Sequence, residues 1–311
     1  MTGKINYIIK WIKMLFGKSV FHMKQTAGLY YNIQNIKGYY SDLRHKVTVN
    51  TLINDKGIPF NITNRGEKIF FPITIFQYGL GAYDLYLETN KNLYLDKFYN
   101  IVFWALNTQE SNGAWDAFSW RNSKGKYSSM AQGEGASLLI RAYLESGNIQ
   151  YYDAAKKAID FMLIPIKKGG TTLYYPDGGL TFEESIEHKT VLNGAIFSIW
   201  GLYDFCSISK EEKYSKILEK SIETLSNKLS EYDLKYWSLY DLSGNIASPF
   251  YHDLHIEQLK VLYEMFRREE FKKYKDKWIK YKKSLLKSKK AFIKKSIQKL
   301  KTINDEINLV R

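Results

Sequence analysis

Residues 72 to 90 read PITIFQYGLGAYDLYLETN. Apolar and aromatic side chains recur every three or four positions, which is a helical period. Pro72 suits a first helical turn, so a helix is expected from there to about residue 88. LDKFYNIVFWALNTQ repeats the rhythm at about 95 to 108 after a short link, and short links make neighbouring helices antiparallel. The same pairing recurs at about 130–146 with 150–164, at 191–206 with 211–229, and at 255–268 with a basic helix from 271. Four hairpins of similar length predict a mainly α fold: an (α/α) toroid whose inner helices line a central cavity, with no large inserted β-domain.

Three longer links join successive hairpins: ESNGAWDAFSWRNSKGKYSS, KKGGTTLYYPDGGLTFEESIEHKT and DLKYWSLYDLSGNIASPFYHD. They are rich in aromatic, glycine and polar residues, and the last two look like β-hairpins. In such a ring these links lie at one end, and loops on a rigid scaffold are where sites sit, so they are expected to form one binding face. Upstream, Asp55-Lys56-Gly57 and Asn64-Arg65-Gly66 suggest tight turns. The expected organisation is an amphipathic helical segment at 1–36, the toroid at 37–285 and a basic helical tail at 286–311.

The chain has 311 residues, 45% of them hydrophobic, which suffices for one large core or two moderate ones. Its 25 tyrosines fit either core packing or a cleft that stacks on sugar rings. The single cysteine, Cys206, excludes an internal disulfide and a multi-cysteine zinc site. The net charge is +14, yet residues 267 to 301 hold sixteen Lys/Arg against three acids, a net of +13, leaving +1 for the rest. Such a basic stretch suits nucleic acid, an acidic glycan, an anionic lipid surface or a solvated helix face. Residues 4 to 21 place Ile5, Ile8, Ile9, Ile12, Leu15 and Phe16 on one face, which fits an interfacial membrane helix or a helix packed on the domain. Lys10, Lys13 and Lys18 interrupt the stretch, so it does not read as a signal peptide. A cytoplasmic protein, peripheral on the inner membrane surface through residues 4–21 and the basic tail, is the expectation. No nucleic-acid motif is present, and nucleic acid is not an expected partner. A homodimer is left open.

Several stretches resemble the glucuronyl C5-epimerase family, which acts on heparan-type polysaccharides. Residues 57 to 80, GIPFNITNRGEKIFFPITIFQYGL, are similar to its segment ending in FYPIxIAQYGL. Residues 127 to 143, YSSMAQGEGASLLIRAY, resemble its YSAMAQGQAxSxLxRAY. FEES at 182–185 and VLNGAIFSIWGLYDF at 191–205 resemble EEYP and FVLNGFxYSLxGLYD. LYDLSG through FYHDLHIEQL, 239–259, resembles IYDLRH and DYHxxHIxQL. The motifs are collinear over roughly residues 40 to 285. The resemblance implies the same toroid, no cofactor, an acidic polysaccharide substrate, and inversion of a hexuronate at C5, glucuronate to iduronate in type.

That chemistry removes a weakly acidic proton α to a carboxylate on one face and returns one on the other, so it needs a base, an acid and groups that hold the carboxylate. The resemblance implies Glu184, Tyr240 and Tyr251 as the catalytic groups, with Glu183 as the alternative to Glu184 if the register slips by one. Without it, both acids read as surface carboxylates and both tyrosines as strand packing. His252 and His255 are expected to hydrogen-bond the sugar carboxylate or orient Tyr251, with polar packing at a helix start as the ordinary reading. They share a helix face, but no third ligand cluster accompanies them, so no metal is expected. Gln132 and Asn193 are expected to contact sugar hydroxyls or cap helices, and Tyr127 matches a further motif position. Trp115 or Trp120 is expected to stack on a sugar, and Arg121 to pair with a carboxylate. Two positions depart from the family: Ser185 stands at the tyrosine of EEYP, and Ser243 at the arginine of YDLRH. Arg65, Arg121 or Lys126 is expected to supply the missing charge. Loss of the C4 substituent after C5 deprotonation would make a lyase, and a glycan-binding protein without turnover is the other alternative.

Overall fold

The computed structural model describes residues 25–49, 51–121, 123–301 and 309. The expected amphipathic stretch at 4–21 lies outside the described residues. Residues 25 to 36, assigned above to that helical segment, form turns and isolated bridges instead. A one-turn helix α1 (His45–Thr48) and a hairpin of β1 (Asn61–Ile62) and β2 (Lys68–Ile69) precede the helical repeat.

The four hairpins are α2 (Pro72–Thr89) with α3 (Asn92–Thr108), α4 (Ser129–Ser146) with α5 (Ile149–Met162), α6 (Leu192–Ser209) with α7 (Glu212–Lys228), and α8 (Pro249–Phe266) with α9 (Glu269–Lys283). The first member of each is the inner helix, and α2, α4, α6 and α8 pack side by side in that order. Capping fixes the ends. Ser128 and Asn148 accept from Ala131 and Gln150 backbone N–H groups at the starts of α4 and α5. Asn90, Gly147, Lys210 and Arg267 turn left-handed at the ends of α2, α4, α6 and α8. α4 and α6 meet closely because both are glycine there: a Cβ on Gly201 would sit 2.2 Å from the Gly133 carbonyl oxygen.

α8 starts at Pro249, not near 255 as the pattern suggested. Ser248 caps it by accepting from Tyr251 N–H, and proline fills the first turn. The second link holds an antiparallel pair, β3 (Thr172–Tyr174) and β4 (Leu180–Phe182). The third forms only isolated bridges, Asp233 to Ser238 and Leu239 to Ile246. The basic helix breaks at Ser284 and resumes as α10 (Leu285–Lys301). No described helix is long and apolar enough to cross a membrane.

Residues 26 to 43 tie α8 to α2 at the C-terminal ends of the inner helices. Ala27 N–H donates to Glu257, Tyr31 to Glu264, and Tyr39 N–H to Asp84. Beneath them Arg141 and Asp204, both without exposure, pair at 2.6 Å. Arg141 also donates to the Lys37, Gly38 and Ser137 carbonyls, and Asp204 accepts from Tyr40 and Ser137. This segment closes that end of the bowl, leaving the long links at the other end to frame its mouth.

Candidate active site

The second and third links are joined edge to edge. Val191 bridges Asp241, Leu192 N–H donates to the Tyr240 carbonyl, and Leu242 N–H to that of Lys189. This pairing places Tyr240 beside the start of α6 and close to Glu184. Tyr251, on the first turn of α8, packs against Tyr240 with ring centroids 4.6 Å apart. The two phenols are hydrogen-bonded, and the Glu184 charge acts on both. All three side chains are partly accessible, whereas Glu184 Oε2 itself is shut from solvent without a hydrogen-bond partner.

Burial, and then the nearby carboxylates of Asp241 and Glu183, raise the Glu184 pKa to about 7 against the pull of Arg121. Burial and the Glu184 charge push both phenols well above their ordinary value, so they are protonated at neutral pH. One group here is poised to take a proton near pH 7, and two are poised to give one. Glu183 points elsewhere: it is 3% exposed and accepts from Thr190 Oγ1 at 2.6 Å. Of the two neighbouring acids, Glu184 is the one turned toward the phenols.

The other sequence candidates divide. Arg121 lies beside Glu184; it stacks on Phe118 and reaches Ser185 and Glu187, each at 3.4 Å. Gln132 Oε1, Asn193 Oδ1 and His255 Nε2 are buried without partners on the N-terminal halves of α4, α6 and α8, where they can meet sugar hydroxyls. His252 is fully buried in the packing behind the site. Its ring stacks on Trp237 at 3.7 Å, and its nitrogens contact Ser238 and the Trp278 carbonyl. Burial depresses its pKa to about 3 and that of His255 well below the usual value, so neither imidazole brings positive charge to a carboxylate. Trp115 is 1% exposed, donates to the Ala105 carbonyl and packs on Phe76, so it belongs to the core and offers no face to a sugar. Trp120 is half-buried against Phe71. Tyr127 and Lys126 are both held by Glu110. Arg65 is exposed in the β1–β2 turn, and Arg121 is the cation acting on Glu184.

Sequence reasoning missed Asp241, Glu134, Gln77 and Lys46. Asp241, fully buried, shapes the turn after Tyr240 by accepting from Ser243 N–H, Asn245 N–H and Asn245 Nδ2. Glu134, also fully buried, accepts from Gln77 on one oxygen, leaves the other unpartnered, and interacts with Lys46 and Glu184. The signal was visible, since Glu134 stands at a glutamine of the resembled motif.

A family model for the D-glucuronyl C5-epimerase C-terminus matches residues 108–280, which span Glu184, Tyr240 and Tyr251. The chain belongs to this family. The D-glucuronyl C5-epimerase of Caenorhabditis elegans is 27% identical over 211 residues, 58% of this chain and 34% of that protein. An uncharacterized protein of Methanocaldococcus jannaschii is 28% identical over 161 residues, 50% of this chain and 52% of that one. The chain thus spans about a third to a half of the length of these curated relatives. Among solved structures, a glycoside hydrolase family 76 mannosidase from Bacteroides thetaiotaomicron is similar over 67% of this chain and 57% of that chain, with TM-score 0.42 and 16% identity.

Within the C5-epimerase domain Gly194 is the seat of Glu184. A Cβ there would lie 2.5 Å from Glu184 Oε2 and 2.7 Å from Glu184 Cβ. Gly194→Ala should therefore displace the carboxylate while leaving the helix intact. Any turnover dependent on Glu184 should fall by about tenfold to a hundredfold with little change in melting temperature, read from rates and thermal scans on one preparation.

Proposed function

We propose that the protein is a polysaccharide-modifying C5-epimerase that inverts hexuronate residues, glucuronate to iduronate in type. Glu184 takes the C5 proton, and the electron pair left on C5 delocalises into the uronate carboxyl group. Tyr251, hydrogen-bonded to Tyr240, returns a proton to C5 from the opposite face. Arg121 offsets the charge that develops on the carboxyl oxygens. The observation that carries this reading is the meeting of one carboxyl tuned to about 7 with two strongly protonated phenols inside a family-matched bowl. The unpartnered acceptors Gln132 Oε1, Asn193 Oδ1 and Gln258 Oε1 suit the hydroxyl donors of a sugar.

The test is incubation with hexuronate polymers in deuterated water. Deuterium at C5 with both epimers present is the expected result. A new ultraviolet-absorbing unsaturated end would instead make the protein a lyase, and neither signal on any uronate polymer would overturn the reading. Because the base must be ionised, exchange at subsaturating polymer should rise with pH through about 7. A profile flat from pH 5 to 8 would remove Glu184 from the role.

A further inference from the structure

In the first link Lys126 is held by Glu110, while Arg121 lies on the Glu184 side of the site, where it reaches Ser185 and Glu187. At the turn after Tyr240, where the resemblance places an arginine, Ser243 instead accepts a hydrogen bond from Lys189 N–H. A different cation arrives there from α10, which lies beyond the family-matched range. Gln298 fastens α10 to this turn: its side chain accepts from Ile246 N–H at 2.9 Å and donates to the Gly244 carbonyl at 3.0 Å. Lys290 and Lys294 lie over the Tyr236 ring of the same link. Further on, Leu309 bridges Thr63 at the β1–β2 turn, so this part of the chain touches two elements of the mouth.

Lys295 stands three residues before Gln298 and so shares its helix face. It is half-buried, interacts electrostatically with Asp241, and forms no salt bridge among the described residues. The Asp241 oxygens accept from the groups of their own turn, and His188 Nδ1 lies 3.7 Å from Oδ2. Burial lowers the Lys295 pKa only to about 8, so at neutral pH it is still mostly charged. A half-buried ammonium without a direct counter-ion, beside a turn that carries a reacting phenol, is suited to an anion brought by a ligand.

We propose that Lys295 is a substrate-binding residue: its ammonium holds a carboxylate of the polymer on the Tyr240 side of the site, and α10 forms one wall of that site. This rests on the uronate reading above. It makes the basic C-terminal helix part of the binding face.

The test compares binding of a glucuronate polymer and of its carboxyl-reduced, neutral form by calorimetry. The wild-type protein should favour the uronate polymer. Lys295→Met and Lys295→Gln should weaken uronate binding by about tenfold, as expected for one lost hydrogen bond to a charged group, and leave the neutral polymer unaffected. Lys295→Arg should retain the preference. Lys289→Met, which removes an exposed charge from the same helix, should change either affinity by less than about twofold, as screened surface charges do. Thermal scans confirm that the compared variants are folded. If the wild type discriminates and both neutral variants discriminate equally, the Lys295 assignment falls alone. If the wild type does not discriminate, the uronate reading falls and takes the assignment with it.

Discussion

Glu184→Gln is expected to lower deuterium incorporation at C5 by about a thousandfold or more, the upper range for loss of a positioned general base. Glutamine keeps the shape and cannot take the proton. The same variant should gain stability in alkaline solution. In the folded protein the Glu184 pKa is raised to about 7, above its ordinary value of 4.5. Between those values the folded state binds more protons than the unfolded one, so this group's contribution is full below about 4.5 and is lost as pH rises through 7. Glutamine never ionises and escapes that loss. Denaturant midpoints at pH 5 and pH 8 should therefore differ less in the variant than in the wild type. An inactive variant with a wild-type pH dependence of stability would mean that the carboxylate is not buried in this way.

The second large effect is on folding. Arg141→Ala leaves the Asp204 carboxylate at the centre of the molecule with two hydroxyl donors and no cation. Removing one partner of a buried pair costs about 3–5 kcal/mol, because the remaining charge keeps its desolvation penalty. For a domain of this size that lowers the melting temperature by about 10 °C. The loss should exceed that of Arg44→Ala, whose partners Asp42 and Glu88 lie nearer the surface. Replacing both members, Arg141→Met with Asp204→Leu, should recover part of the stability, since no unpaired charge then remains. Equal melting temperatures for Arg141→Ala and wild type would show that the pair does not anchor the core.

The hairpins were legible because each is written locally in a stripe of apolar residues, with a capping serine or asparagine besides at the starts of α4, α5 and α8. The start of α8 was read late because FYHD looked like loop, although Ser248-Pro249 carried the capping signal. Residues 26 to 43 have no such pattern. They are held by Arg141, Asp204, Asp84 and Glu257, all distant in sequence, and no window reveals partners of that kind. At the site, the carboxyl and the two phenols came from motif positions and do meet. Trp115 and His252 went astray because an aromatic-rich link looks alike whether its rings face a ligand or the core. Lys295 was hidden among the lysines of α10, since a charge count cannot tell which of them is turned inward.

The segment that shuts the lower end of the bowl has a consequence for how the molecule is made. Ala27 and Glu257 are 230 residues apart in the chain yet hydrogen-bonded. The ribosome releases the first of them long before the helix that receives it exists. Tyr39 and Tyr40, which end up fully buried against Phe197, Trp200 and Tyr203, must wait in water or in provisional contacts until α6 emerges. Residues 27 to 40 therefore leave the ribosome well before the helices that bury them, and this segment cannot reach its final contacts until those helices have been made.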